Sequence, residues 1–94
     1  MSINIIKEEQ GLIIAFNGNL DNMKCLTLQE NILEYIKGAK KVIFDLLGVE
    51  KISQMFFHLC NLVINHVKKE NFNIININLE LVKNYNVNKF LNCN

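Results

Sequence analysis

Two short apolar runs at the start of the chain predict a β-hairpin. The segment Ile3–Lys7 is rich in β-branched side chains, and a more continuous apolar run covers residues 12–16. A polar turn at residues 8–11 joins them, an arrangement typical of two antiparallel strands. We expect the second strand to end where the polar residues 17–19 interrupt the pattern.

Apolar residues at helical spacing then predict a helix over residues 22–37. Its inward stripe consists of Cys25, Leu28, Ile32 and Ile36. Asp21 is placed to cap this helix at its start, and Gly38 is placed to end it. Residues 41–46 predict a strand apolar enough for the centre of a parallel sheet, with a loop at residues 47–52.

A second helix is predicted from residue 54 to about residue 70, with Ser53 as its N-cap. Its inward stripe consists of Phe56, Leu59, Cys60, Val63 and Val67. Residues 72–77 predict the last strand, and short helical material is expected between residues 79 and 91. The order ββαβαβα predicts a single α/β domain over residues 1–94, with a mixed, mostly parallel four-stranded sheet packed with helices.

Composition narrows the class of protein. The chain has 94 residues, 50% of them hydrophobic, and a net charge of +1, which suits one folded core and excludes disorder. There is no arginine, and the lysines are scattered apart from the pairs Lys40–Lys41 and Lys68–Lys69, so we expect no nucleic-acid binding. No apolar run is long enough to cross a bilayer and the start lacks a signal peptide, so we expect a cytoplasmic protein without membrane insertion.

Candidate chemistry is sparse. Cys25, Cys60 and Cys93 have no close spacing, and His58 and His66 would lie about 12 Å apart along a helix, too far to share one metal ion. The glycines are isolated and form no phosphate-binding loop, and Asp21 and Asp45 are the carboxylates expected at strand ends. We therefore expect no metal site, no cofactor and no enzymatic activity.

Several ordered strings resemble the STAS domain family, the module of bacterial anti-sigma-factor antagonists. An apolar strand is followed by Gly-x-Leu-Asp at residues 18–21, and the next strand ends in Asp-Leu-x-x-Val at residues 45–49. An isoleucine-led loop then opens the second helix, and the resemblance covers about residues 3–91. It implies a STAS-like fold and a bacterial regulatory module that binds an anti-sigma factor of kinase-like fold.

The chain departs from the family pattern at the loop before the second helix. Where the family has Asp-Ser-Ser-Gly, this sequence has Ser53, Gln54, Met55 and Phe56. In regulated members a partner kinase phosphorylates the second serine, and Met55 cannot accept phosphate. The resemblance therefore implies partner binding without the usual phosphoserine switch.

Ser53 has two readings. As a hydroxyl at a helix N-terminus it is a candidate phosphoacceptor, because added phosphate would meet free amides there. The favoured interpretation is an ordinary N-cap. Asp21 is likewise interpreted first as a cap, although the resemblance places it beside the partner-facing surface.

The second helix also carries apolar residues outside its inward stripe. Phe57 and Ile64 are seven positions apart on one line, about 100° from the centre of that stripe. Either a neighbouring helix covers them or they belong to a partner surface, since exposed aromatic and aliphatic side chains anchor interfaces. The predicted partner-binding residues are Asp21, Ser53, Gln54, Met55, Phe57 and Ile64.

Two other functions stay open from the sequence. One is a STAS subunit of a lipid-transport ABC complex, where the loss of a phosphoserine would not matter. The other is binding of a small ligand such as a nucleotide near Asp21 and Ser53. A homodimer is also left open.

Overall fold

The secondary-structure elements follow the predicted ββαβαβα order. A computed structural model describes residues 3–9 and 11–85. The strands are β1 (Ile3–Lys7), β2 (Gly11–Leu20), β3 (Lys41–Ile52) and β4 (Phe72–Ile75). The helices are α1 (Asn22–Tyr35), α2 (Gln54–Val67) and α3 (Leu79–Val82), and a single 3-10 turn, Lys69–Asn71, precedes β4.

The four strands form one mixed sheet in the order β1-β2-β3-β4. β1 pairs antiparallel with β2 through the hairpin, and Ile5 lies opposite Ile14. β2 with β3, and β3 with β4, are parallel, and α1 and α2 form the crossovers. The expectation of a mostly parallel α/β sheet is therefore confirmed.

The core lies between one face of the sheet and the two long helices. Alternate residues of β2 and β3 are buried, which is the two-residue period of a strand with one covered face. The ring of Phe44 lies 4.8 Å from that of Phe16 and 5.0 Å from that of Phe72, in edge-to-face contacts. Every residue of the predicted inward stripes of both helices is buried, so those predictions are confirmed.

β2 and β3 are longer than the sequence pattern predicts. Residues 17–19 continue β2 and residues 47–52 continue β3, because the two strands pair with each other as far as Leu20 and Ile52. β3 has 12 residues, whereas β2 has 10. The pairing register shifts at two points, and at each of them β3 contains one extra residue. At one of them Gly48 lies so close to β2 that an added Cβ would be 2.9 Å from the Cβ of Asn17.

Three other predicted boundaries also shift. α1 ends at Tyr35, and Gly38 adopts a φ of 78°, which lets the chain turn towards β3. α2 ends at Val67, and β4 ends at Ile75. Of the helical material expected over residues 79–91, the structure shows α3, and residues from 86 onward lie outside the described part. Within the described residues, no helix is long and apolar enough to span a membrane.

Candidate partner-binding site

The starts of α1 and α2 meet at one edge of the sheet. Leu20 is paired with Ile52 at the ends of the parallel strands β2 and β3, and Asp21 and Ser53 follow them directly. The carboxyl ends of parallel strands are the usual position of binding sites in α/β folds. The fold therefore brings together the predicted site residues Asp21, Ser53, Gln54 and Met55.

Each of the two helix starts is capped, but in different ways. The Asp21 side chain accepts a hydrogen bond from the amide of Lys24 at 2.8 Å and caps α1, as the sequence predicts. The amide of Met55 in α2 donates instead to the side-chain oxygen of Asn22, at 3.2 Å. The first residue of α1 thus satisfies an amide at the start of α2 and holds the two helix starts together.

Ser53 occupies the N-cap position of α2 without capping it. Its side chain makes no capping hydrogen bond, so the predicted role of its hydroxyl is wrong. The Oγ atom is buried and has no hydrogen-bond partner in the described part of the chain. Asn22 supplies the capping oxygen because the pairing of β2 and β3 brings α1 beside α2, which a purely local pattern does not show.

Two thiols are buried behind the site. Cys25 donates to the carbonyl oxygen of Leu20 over 3.7 Å, and burial raises the pKa of its thiol, an effect that the neighbouring Ser53 hydroxyl partly opposes. That hydroxyl lies near the thiol, but its geometry falls short of a hydrogen bond. Burial raises the pKa of Cys60 well above its usual value, and nearby Cys25 adds to the rise. Both are buried free thiols, and a raised pKa favours the protonated form, which is a poor nucleophile.

An open groove of about 530 Å³ runs along the start of α2. It is lined by Asn22, Gln54, Met55, Phe57, His58 and Asn61. Three of these residues present side-chain amides, and none is a carboxylate or an ammonium group. Such a lining suits hydrogen bonding and apolar contact, and it offers no paired acid and base.

Two exposed apolar residues lie in the first half of α1, and the sequence pattern did not single them out. Met23 is 72% exposed and Leu26 is 51% exposed. Leu26 is four positions after Asn22, whose side chain contacts the start of α2, so these two residues share a side of α1. Met23 is three positions before Leu26 and lies beside it on the exposed surface of the helix. A signal was available in the sequence, because both residues lie outside the inward stripe of α1.

Of the two alternatives left open for Phe57, the structure shows a covered side chain and not an exposed anchor. Its side chain is only 8% exposed, with the ring 4.7 Å from that of Tyr85 and 5.5 Å from that of Phe56. The predicted cover was a neighbouring helix, whereas the covering ring belongs to Tyr85, which lies just after α3 and not within it. Ile64 is half-buried and packs against the core.

Asp45 lies inside β3 and not at a strand end, because β3 continues to Ile52. Its Oδ1 atom accepts hydrogen bonds from the amide of Leu47 at 3.0 Å and from the side chain of Asn76 at 2.9 Å. Asp45 thus connects the irregular part of β3 with the end of β4. Across residues 3–9 and 11–85, no three histidine, cysteine or acidic side chains converge as metal ligands would.

Comparison with solved structures identifies the fold. The anti-sigma factor antagonist SpoIIAA in its unphosphorylated form superposes with a TM-score of 0.73 and 9% identity, over 99% of this chain and 89% of that one. A DUF3478-family protein from Shewanella loihica PV-4, described as having a SpoIIAA-like fold, gives a TM-score of 0.55 at 15% identity, over 82% and 66% of the two chains.

A third structure, Mglu, gives a TM-score of 0.63 at 10% identity, over 79% of this chain but only 19% of its own. No protein-family model matches the sequence, and neither does any curated protein. The chain therefore has the STAS-like fold that the sequence resemblance implies.

Proposed function

We propose that this protein is a regulatory interaction module that binds a partner protein through the adjoining starts of α1 and α2. The observation that carries the proposal is the convergence of Asp21 and Ser53 at the paired ends of β2 and β3. By likeness to the anti-sigma factor antagonist of the same fold, the partner is an anti-sigma factor. The resemblance of the sequence to the STAS family implies that this partner has a kinase-like fold. The chain acts in the bacterial cytoplasm and performs no catalysis of its own.

The chemistry of the surface supports protein binding. Met23 and Leu26 expose apolar area to solvent, and the half-buried Met55 lines the groove at the start of α2. Flexible methionine side chains adapt to an opposing surface, and buried apolar contacts supply most of the binding free energy of an interface. The side-chain amides of Gln54 and Asn61 provide a polar margin that can hydrogen-bond a partner's backbone.

Two observations support binding without a serine switch. Met55 stands at the position where phosphorylated members of the family have serine, and it has no hydroxyl. Ser53, the remaining candidate phosphoacceptor, has its Oγ buried, so a kinase could reach it only after the chain around it rearranges. We infer that the amounts of the two proteins, and not phosphorylation at the start of α2, determine how much of the complex forms.

Affinity capture from cells of the source organism, followed by reconstitution with the purified captured protein, tests this function. The key variant is Met55→Asp, which places a charge in the groove, and the matched control is Leu47→Asp, at a leucine that is 76% exposed on β3. We expect an anti-sigma factor of kinase-like fold to be captured. Its affinity should fall at least about tenfold for Met55→Asp and stay unchanged for the control.

The other outcomes contradict the proposal in distinct ways. Capture of a transporter ATPase would indicate a subunit of an ABC complex and not a regulator. Equal losses of affinity in Met55→Asp and Leu47→Asp would show that the interface does not lie at the start of α2. No retained protein, together with a thermal shift caused by a nucleotide, would favour the small-ligand function. Incubation of the complex with ATP should leave Ser53 without phosphate when its peptide is analysed by mass spectrometry.

A further inference from the structure

Two lysine clusters that are far apart in the sequence meet at the pole of the domain opposite the α1/α2 starts. Lys40 and Lys41 lead into β3, whereas His66 and Lys68 lie at the end of α2. These four residues line one depression of about 490 Å³, together with Ala39, Val67, Glu70 and Asn71. Because α2 has 14 residues, this depression lies about 20 Å from the partner-binding groove.

Among the residues that the structure describes, the depression carries an excess of positive charge. The ion pairs of the described chain include Lys37 with Glu34 and Lys83 with Glu80, and none involves Lys40, Lys41 or Lys68. A single carboxylate, that of Glu70, lines the depression against three ammonium groups. The C-terminal dipole of α2 accounts for a cation at Lys68, but it does not account for Lys40 and Lys41, which belong to another element.

The backbone of Lys68 is a second observation at this depression. It has a φ of 76° and a ψ of 154°, a region that glycine enters freely and that strains any other residue. The strained backbone conformation therefore belongs to a residue, Lys68, whose side chain lines the depression. A glycine would make the same turn without strain, but it would remove one of the three ammonium groups.

We propose that this depression binds a small anion of the phosphate or phosphate-ester class through Lys40, Lys41 and Lys68. Ammonium groups act on phosphate oxygens as point charges, and three of them around a concavity complement a ligand with at least two negative charges. The volume suits a small molecule. The site shares no residue with the partner-binding groove and does not depend on the proposed function.

The test is a titration of the isotope-labelled full chain with pyrophosphate, at constant ionic strength, followed by nuclear magnetic resonance. We expect saturable shifts confined to residues 39–41 and 66–71. Lys40→Gln and Lys68→Gln should each weaken binding about fivefold, as expected for loss of one exposed charge contact. Lys51→Gln removes the same charge near the opposite end of β3 and should leave the affinity unchanged.

Each other outcome overturns the proposal. Absence of saturation up to about 10 mM pyrophosphate would show that the depression has no useful affinity for the anion. An equal loss in Lys51→Gln would show attraction by overall charge and not by a site. Two parallel titrations, with a glutamate-rich peptide and with vesicles containing phosphatidic acid, identify other occupants. Binding to either one without binding to pyrophosphate would assign the surface to a protein or to a membrane instead.

Discussion

The backbone amide of Met55 donates to the side-chain oxygen of Asn22 over 3.2 Å, so the first residue of one helix caps the start of the other. The two residues are 33 positions apart in the chain. Their hydrogen bond holds the start of α2 in place beside α1. The proposed partner surface consists of these two helix starts. Preorganisation of that kind lowers the entropy cost of binding.

Replacing Asn22 with alanine should therefore weaken α2 at its start. The substitution leaves the amide of Met55 without its partner, and we expect the free energy of unfolding to fall by about 1 kcal/mol. Chemical denaturation followed by circular dichroism measures the change. Asn31→Ala, on an exposed position of α1, is the control and should be neutral or slightly stabilising. Equal losses in the two variants would contradict a capping role for Asn22.

Alanine substitutions at Ser53 and at Asp21 should change the free energy of unfolding in different ways. Among the described residues the buried Ser53 hydroxyl has no hydrogen-bond partner, so Ser53→Ala should keep stability or raise it by about 1 kcal/mol. Asp21→Ala removes a formed cap and should lower stability by about 1 kcal/mol. The same denaturation experiment measures both, and a clear loss in Ser53→Ala would show that its hydroxyl has a structural partner.

The contact between Phe57 and Tyr85 should contribute measurably to stability. Phe57→Ala opens a cavity beside Tyr85 and should cost about 3 kcal/mol. A double-mutant cycle with Tyr85→Ala isolates the ring contact, for which we expect a coupling free energy of about 1 kcal/mol. Zero coupling would show that the Tyr85 ring does not cover Phe57 in solution.

The two buried thiols should be unreactive in the folded protein. In a Cys93→Ser background, which leaves only these two, reaction with a thiol reagent should be on the order of a hundredfold slower than after unfolding. Rapid labelling of the folded chain would contradict the burial of both.

The raised pKa values of Cys25 and Cys60 also give a pH dependence. Below the ordinary thiol pKa of about 8.5, both thiols are neutral in the folded and in the unfolded chain, and they contribute no slope. Above it the unfolded chain loses their protons first, so the free energy of unfolding should fall as the pH rises. Denaturation series on either side of that pH measure the slope, which should shrink in Cys60→Ala.

Lys68→Gly should stabilise the protein while it weakens the proposed anion site. Glycine adopts a φ of 76° without strain, and we expect a gain of about 1 kcal/mol after the larger entropy of the unfolded chain is included. Lys68→Ala is the matched control, because it removes the same ammonium group and keeps the strain. A gain of equal size in both variants would attribute the effect to charge and not to the backbone.

Local patterns in the sequence were sufficient for the helices and for their buried faces. The inward stripes of α1 and α2 follow from helical periodicity alone, because a helix repeats every 3.6 residues whatever it packs against. Asp21 could likewise be assigned as a cap, since its partner, the amide of Lys24, is three residues away. The ordered strings around Asp21 and Asp45 also led to the STAS-like fold that the solved structures share.

Pairing over long distances in the chain decided what those patterns missed. Residues 17–19 and 47–52 look like breaks when each is read alone, yet they continue as strands because each segment supplies the other's hydrogen bonds. The cover over Phe57, the cap supplied by Asn22 and the meeting of Lys40 with Lys68 arise in the same way. A local pattern reports which face of an element is apolar, whereas the tertiary structure alone determines which distant residue lies against it.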